Sequence, residues 1–194
     1  FLAATTFGPA TEAQSAIDMV KRVHTRVVGT ADDGRPYSAN DPHLLKWVHI
    51  AEVDSFLAAH AKFGEIELSP EQRDGYVLDM SRIATARGVI DAPTTVAELA
   101  DQIASYRPEL RTSAPARDAA RYLLLTPPLP IYQRPIYGLL GAAAVSLMPL
   151  WTRFPLRLPW LPVSERAVVR PAAQTLTKTL RWALQPIPFT ASEQ

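Results

Sequence analysis

The chain has 194 residues, a formal net charge of +1 and a hydrophobic content of 47%. These values fit one folded domain with its own core, and the near-neutral charge argues against a dedicated nucleic-acid binder. Because there is no cysteine, disulfides, thiolate metal sites and cysteine nucleophiles are excluded. Residues 1–9 lack the features of a signal peptide, so we expect a protein that is cytoplasmic or peripherally membrane-associated.

Charge and proline divide the chain unevenly. Residues 1–125 hold 13 Lys/Arg and 17 Asp/Glu, whereas residues 126–194 hold 7 and 2 and contain 11 of the 18 prolines. We predict one domain over residues 1–194, with a helical core over 1–125 and a basic, proline-rich, apolar region over 126–194.

The first predicted helix runs from Pro9 to Val28. Thr11 is the expected N-cap, and Gly29 is expected to end the helix in a left-handed conformation. A polar segment with the turn signal Asp33-Gly34 follows and favours a small hairpin closed by Tyr37.

Three of the next four helices begin at recognisable capping signals. Asp41-Pro42 opens one, while Ser69 and Thr95 each start a capping box. The four helices are predicted over residues 41–63, 69–88, 95–107 and 113–125.

The C-terminal third has a different pattern. Residues 135–152 carry no charge, which favours a buried or interfacial helix and leaves a transmembrane segment or a dimer contact as alternatives. A last helix, capped by Ser164 and kinked at Pro171, is predicted to fade at Pro186. The fold class is therefore all-α, with about seven helices and a small hairpin after the first.

His24 lies on the apolar side of the first predicted helix, in the arc of Ile17, Val20, Val27 and Val28. A neutral imidazole in that position is a good iron ligand, and haem proteins often use one proximal histidine. A core histidine bonded to a backbone carbonyl is the alternative interpretation.

His49 and Glu52 lie one turn apart on the second predicted helix. Its expected apolar stripe consists of Leu45, Val48, Phe56, Ala59 and Phe63. A buried carboxylate needs a partner, which His49, Arg22 or Arg26 could supply. The pair could orient a haem ligand or propionate, form half of a di-iron site, or be a structural ion pair.

Five segments together resemble the oxygenase family that includes latex-clearing protein and the MpaB oxygenase of mycophenolic acid synthesis. They are Phe7-Gly8 and residues 20–29, 33–42, 44–49 and 53–57. The resemblance is clear over residues 7–64 and continues more weakly to about residue 125.

This resemblance implies an all-α fold around haem b, with His24 as the proximal iron ligand and Arg22 and Thr5 near the cofactor. It also implies that dioxygen is used to cleave a carbon–carbon double bond of an isoprenoid or other apolar substrate. In the family, the acidic residue proposed as base comes from helices before the Phe-Gly pair. We therefore expect the catalytic acid to precede Phe1.

The basic C-terminal region suggests an alternative function, because tryptophans beside arginines favour a membrane interface. On this hypothesis the chain is a non-catalytic helical module of the same family that binds a membrane or a partner protein. The residues expected at that surface are Trp151, Arg153, Arg157 and Trp160.

Overall fold

A computed structural model describes residues 1–184, which form two compact units. The first spans Phe1–Ser113, and the second begins at Ala114. Helices dominate both units, so the predicted all-α class is confirmed. Seven helices of 11 residues or more occur within residues 1–184, together with shorter helical segments and one hairpin.

The first unit contains five helices and the hairpin among its described elements. They are α1 (Leu2–Phe7), α2 (Ala10–His24), β1 (Val28–Thr30), β2 (Pro36–Ser38), α3 (Pro42–Phe63), α4 (Pro70–Arg87) and α5 (Val96–Tyr106).

The start signals of α3, α4 and α5 act as the sequence predicts. The Asp41 carboxylate accepts the His43 N–H at 2.8 Å. Ser69 forms the full capping box of α4, which ends at Gly88 with φ +103°. Thr95 caps α5 by accepting the N–H of Glu98, whose own carboxylate instead accepts the Thr94 N–H.

The end of the first long helix differs from the prediction. Helix α2 stops at His24, Pro9 occupies its N-cap, and Thr11 lies within its first turn. Gly29 belongs to β1 opposite Tyr37. A Cβ at Gly29 would lie 2.8 Å from Tyr37 Cζ, so this glycine allows close packing of the aromatic ring and does not act as a left-handed helix stop.

The predicted hairpin is present as an antiparallel pair, β1 and β2. Gly34 has φ +83° in the turn between them, a conformation that glycine adopts without steric cost.

The core of the first unit forms where α3 packs against α4 and α5. Its buried side chains are Ile50, Val53, Val77, Leu99 and Tyr106.

The apolar stripe predicted for α3 is therefore displaced. Leu45 and His49 are buried, whereas Val48 is 51% exposed and Phe56 is 38% exposed. Apolar residues occur on most sides of α3, so their spacing does not by itself select the face that meets the core.

The second unit contains α6 (Ala114–Leu125), α7 (Arg134–Leu147), α8 (Leu150–Arg153), α9 (Pro162–Ser164) and α10 (Arg170–Ala183). A 3₁₀ turn precedes α7, and a π-helical turn, Glu165–Val169, joins α9 to α10. Ser164 is not the predicted cap, because the helix already begins at Pro162 and the Ser164 hydroxyl donates to Leu161 O. The π turn lies just before Pro171, where we predicted a kink. Pro186 lies outside the described residues.

A buried ion pair links α8 to the π turn. Arg153 donates to a Glu165 carboxylate oxygen at 2.6 Å, and their side chains are 3% and 12% exposed. Burial alone would raise the pKa of Glu165, but the hydrogen bonds from Arg153 and from the Leu161 N–H hold it below its ordinary value.

The uncharged segment folds mainly into α7, which has 14 residues. At 1.5 Å per residue it is about 21 Å long, against about 30 Å for a bilayer core. Ala143 and Val145 on this helix are buried, while Ile136 and Leu140 remain about half exposed. No helix within residues 1–184 is both long and apolar enough to cross a membrane.

The core packing of α3 predicts that two valines on this helix differ in their contribution to stability. Val53 is fully buried and Val48 is 51% exposed. Replacing Val53 with Ala should lower the free energy of unfolding by about 2 kcal/mol, through lost burial and an added cavity. Val48→Ala should change it by less than about 0.5 kcal/mol. Urea unfolding of both variants measures the difference, and equal effects would contradict this core.

Candidate functional site

A mostly apolar cavity of about 370 Å³ lies between α1, α3 and α4 of the first unit. This volume lies in the range of small-molecule sites, roughly 300–1,000 Å³. The lining residues are Phe1, Ala3, Thr5, Thr6, Phe7, His49, Glu52, Phe56, Tyr76, Met80, Ile83 and Arg87.

Helical spacing brings the polar lining residues together. On α3, His49, Glu52 and Phe56 follow one another at intervals of three and four residues, which places them on one face. The same rule aligns Tyr76, Met80, Ile83 and Arg87 on α4. Contact between α3 and α4 therefore brings two such faces to one cavity.

His49 is the buried histidine of this cavity. Its residue surface is 2% exposed, and its Nε2 is buried without a hydrogen-bond partner. Burial, and then the nearby positive charge of Arg87, lowers the pKa of His49 to about 4. The imidazole is therefore neutral at pH 7, and the hydrogen-bonding capacity of Nε2 is not used by any of the described residues.

Glu52 is compensated by Arg87, at 3.8 Å between carboxylate and guanidinium, and both side chains are largely buried. The guanidinium also lies 5.0 Å from the Phe1 ring centroid, and its buried Nε has no partner. Tyr76 stays a neutral phenol, because burial and the charge of Glu52 raise its pKa.

Glu52 pairs with Arg87 and not with His49, Arg22 or Arg26, the partners that its sequence context favours. Arg87 and Tyr76 were not identified from the sequence. An arginine in a last helical turn before glycine is usual on protein surfaces. Only the packing of α4 on α3 brings Arg87 to this carboxylate.

The predicted cofactor residues do not all meet at this cavity. Thr5 lines it, but His24 does not. His24 is half-buried in the last turn of α2, where Arg22 is exposed. Val27 and Val28, expected beside His24 on one helical stripe, are exposed beyond the end of α2. The role of His24 as an iron ligand stays a prediction.

The described residues contain no cluster of three or more His, Asp or Glu side chains that could hold a metal ion. A haem iron, in contrast to such a cluster, can be held by a single protein imidazole.

The residues assigned to a membrane or partner surface lie in different environments. Arg157 is exposed and Trp160 is 51% exposed, whereas Trp151 is half-buried. Arg153, expected at the surface, is instead buried against Glu165, because its charge is needed to compensate that carboxylate. Binding of this region to a membrane or a partner stays a prediction.

A helical domain with a ligand-sized apolar cavity and a buried neutral histidine is suited to bind a small apolar molecule. The family model described as "ER-bound oxygenase mpaB/B'/Rubber oxygenase, catalytic domain" matches residues 1–182. The chain therefore belongs to this family of oxygenase catalytic domains. The match extends well beyond residue 125, where the resemblance noted in the sequence ended. No curated protein and no solved structure matches the chain.

Because the pKa of His49 is lowered in the folded protein, we expect this residue to contribute to a loss of folding stability in acid. Its folded pKa of about 4 lies below the ordinary 6.5, so between these values the unfolded chain binds a proton that the folded chain does not. This component is present in full above about pH 6.5 and is lost as the pH falls towards 4. It amounts to about 3 kcal/mol at 1.36 kcal/mol per pKa unit.

Comparison with His49→Leu isolates this component, since leucine of similar volume does not titrate. The free energy of unfolding, from urea titrations at pH 7 and pH 4.5, should fall more steeply in the parent protein than in the variant. Parallel pH profiles would mean that His49 is not kept neutral by burial.

Proposed function

We propose that this chain is the catalytic domain of a haem b-dependent oxygenase, which uses dioxygen to cleave a carbon–carbon double bond of an isoprenoid-like, apolar substrate. Membership of the oxygenase family supports the reaction class. The observation that carries the proposal is the apolar cavity lined by His49, a histidine whose buried Nε2 has no hydrogen-bond partner. Such a site favours a largely apolar molecule with one polar group to satisfy that nitrogen.

His24 is the proposed proximal ligand of the haem iron. A half-buried imidazole on α2 fits this role, because haem needs one protein ligand on its proximal side. When bound, haem supplies the dioxygen chemistry that no side chain of this chain can perform.

The cavity is the proposed substrate site. Its apolar walls, including Phe56, Met80 and Ile83, would remove water from a hydrocarbon chain and so favour its binding. His49 Nε2 would hydrogen-bond a polar group of the substrate or of the carbonyl product. Among the described lining residues Glu52 is the only carboxylate, and Arg87 compensates its charge.

Replacing the two histidines separately tests these assignments. Parent protein reconstituted with haemin should show a Soret band, and His24→Ala should lose most of it because the proximal ligand is gone. His49→Ala should keep the band but consume dioxygen with an isoprenoid alcohol such as farnesol about tenfold more slowly, the loss expected of one hydrogen bond between His49 and the hydroxyl group. Absorption spectra and oxygen-electrode rates are the measurements.

The exposed His60 on α3 provides the matched control, and His60→Ala should leave both the spectrum and the rate unchanged. If the parent protein shows no Soret band after incubation with haemin and removal of the unbound haemin, the chain is not a haem enzyme. Loss of the Soret band in His49→Ala, with retention in His24→Ala, would move the iron site to the cavity of α1, α3 and α4.

A further inference from the structure

The second unit has an apolar cavity of its own, of about 420 Å³. Helices α6 and α7, the segment 156–161 and the π turn contribute to its walls. Apolar lining residues include Leu124, Ala142, Val145 and Leu158, and Gly138 and Gly141 on α7 keep space open in it. This volume is again typical of a small-molecule site.

The charged groups in the lining are predominantly cationic. Arg121 and Arg157 both line the cavity, and Arg121 lies 3.5 Å from the exposed Asp118 carboxylate. Glu165, the acidic lining residue, is already bound by Arg153 at 2.6 Å and by the Leu161 N–H at 3.1 Å. The cavity therefore has apolar walls and one positively charged lining residue, Arg157, that forms no ion pair with a carboxylate within residues 1–184.

Arg157 occupies a position where the backbone favours glycine. It has φ +56°, and the turn is closed by hydrogen bonds from Leu158 N–H to Arg153 O and from Arg157 N–H to Phe154 O, both 3.0 Å. This pattern is the Schellman ending of a helix, whose left-handed residue is usually glycine. An arginine is held there at a conformational cost, which indicates that its side chain has a use at the cavity.

We propose that this second cavity binds a single-chain amphiphile with an anionic head, namely a long-chain fatty acid. The hydrocarbon chain lies among the apolar residues of α6 and α7. The carboxylate pairs with Arg157 and Arg121, whose guanidinium groups suit planar carboxylates. A two-chain phospholipid is too large for a cavity of about 420 Å³.

Calorimetric titration with oleate, below its aggregation concentration, tests the proposal on the full chain. The parent protein should bind oleate at a defined stoichiometry of one. Arg157→Gly and Arg121→Gln should each weaken binding at least tenfold. Arg157→Gly should also raise the thermal unfolding midpoint, since glycine relieves the left-handed backbone, so lost binding cannot be attributed to unfolding.

Two further variants complete the test. Arg166→Gln removes the same charge from an exposed arginine outside the cavity lining and should bind oleate as the parent does. Gly138→Leu should partly fill the cavity and weaken binding, because Gly138 lines it and a Cβ there has open space around it.

Several outcomes would overturn the proposal. Oleate affinity that is unchanged in Arg157→Gly would show that the arginine does not bind the head group. Binding to phosphatidylserine vesicles without binding of monomeric oleate would identify the region as a membrane surface. Binding of oleate only by a chain ending at Leu184 would identify residues 185–194 as the occupant.

Discussion

The structure of the first unit depends on helix α3, which contributes residues both to the hydrophobic core and to the lining of the cavity. Ile50 and Val53 pack into the core against α4 and α5. His49 and Glu52, on an adjoining face, line the cavity. Because neighbouring positions on a helix are about 100° apart, the core contacts fix the rotation of α3 and thereby fix the direction of the polar pair. The core packing of α3 therefore orients the residues with which this helix lines the cavity.

Both units bury ionisable groups, and each group avoids the cost of an isolated charge in a different way. Glu52 and Glu165 keep an arginine partner, Arg87 and Arg153 respectively. His49 has no such partner and loses its charge instead, with a pKa of about 4. These alternatives follow from the same desolvation penalty, which pairing offsets and deprotonation removes. Two residues that line the first cavity, His49 and Arg87, therefore each have a buried nitrogen without a hydrogen-bond partner.

The family match over residues 1–182 includes most of both units. Residues 126–182 of the basic C-terminal region therefore fall within the match to the oxygenase catalytic domain. The match also includes the described residues that line the second cavity. Its buried Arg153–Glu165 pair and its strained Arg157 turn lie in one segment of the chain, residues 153–165.

Local signals in the sequence were sufficient for the helix starts at Asp41, Ser69 and Thr95, for the Gly34 turn and for the all-α class. These features depend on residues within one turn of each other, so the chain determines them without tertiary contacts. The short segments between residues 7 and 57 were also sufficient to recognise the family. The sequence likewise placed His49 and Glu52 together on one helical face.

Long-range packing decided what local patterns left open. Helix α2 ends at His24, and Gly29 packs against Tyr37 in the hairpin that follows. Long-range packing also left Val48 exposed. Helix α3 has apolar residues on several sides, and its contacts with neighbouring helices decide which side is buried. The same packing paired Glu52 with Arg87, 35 positions away in the chain. Such partners meet only after the helices pack, so the sequence determined the elements and the tertiary structure decided which side chains form the site.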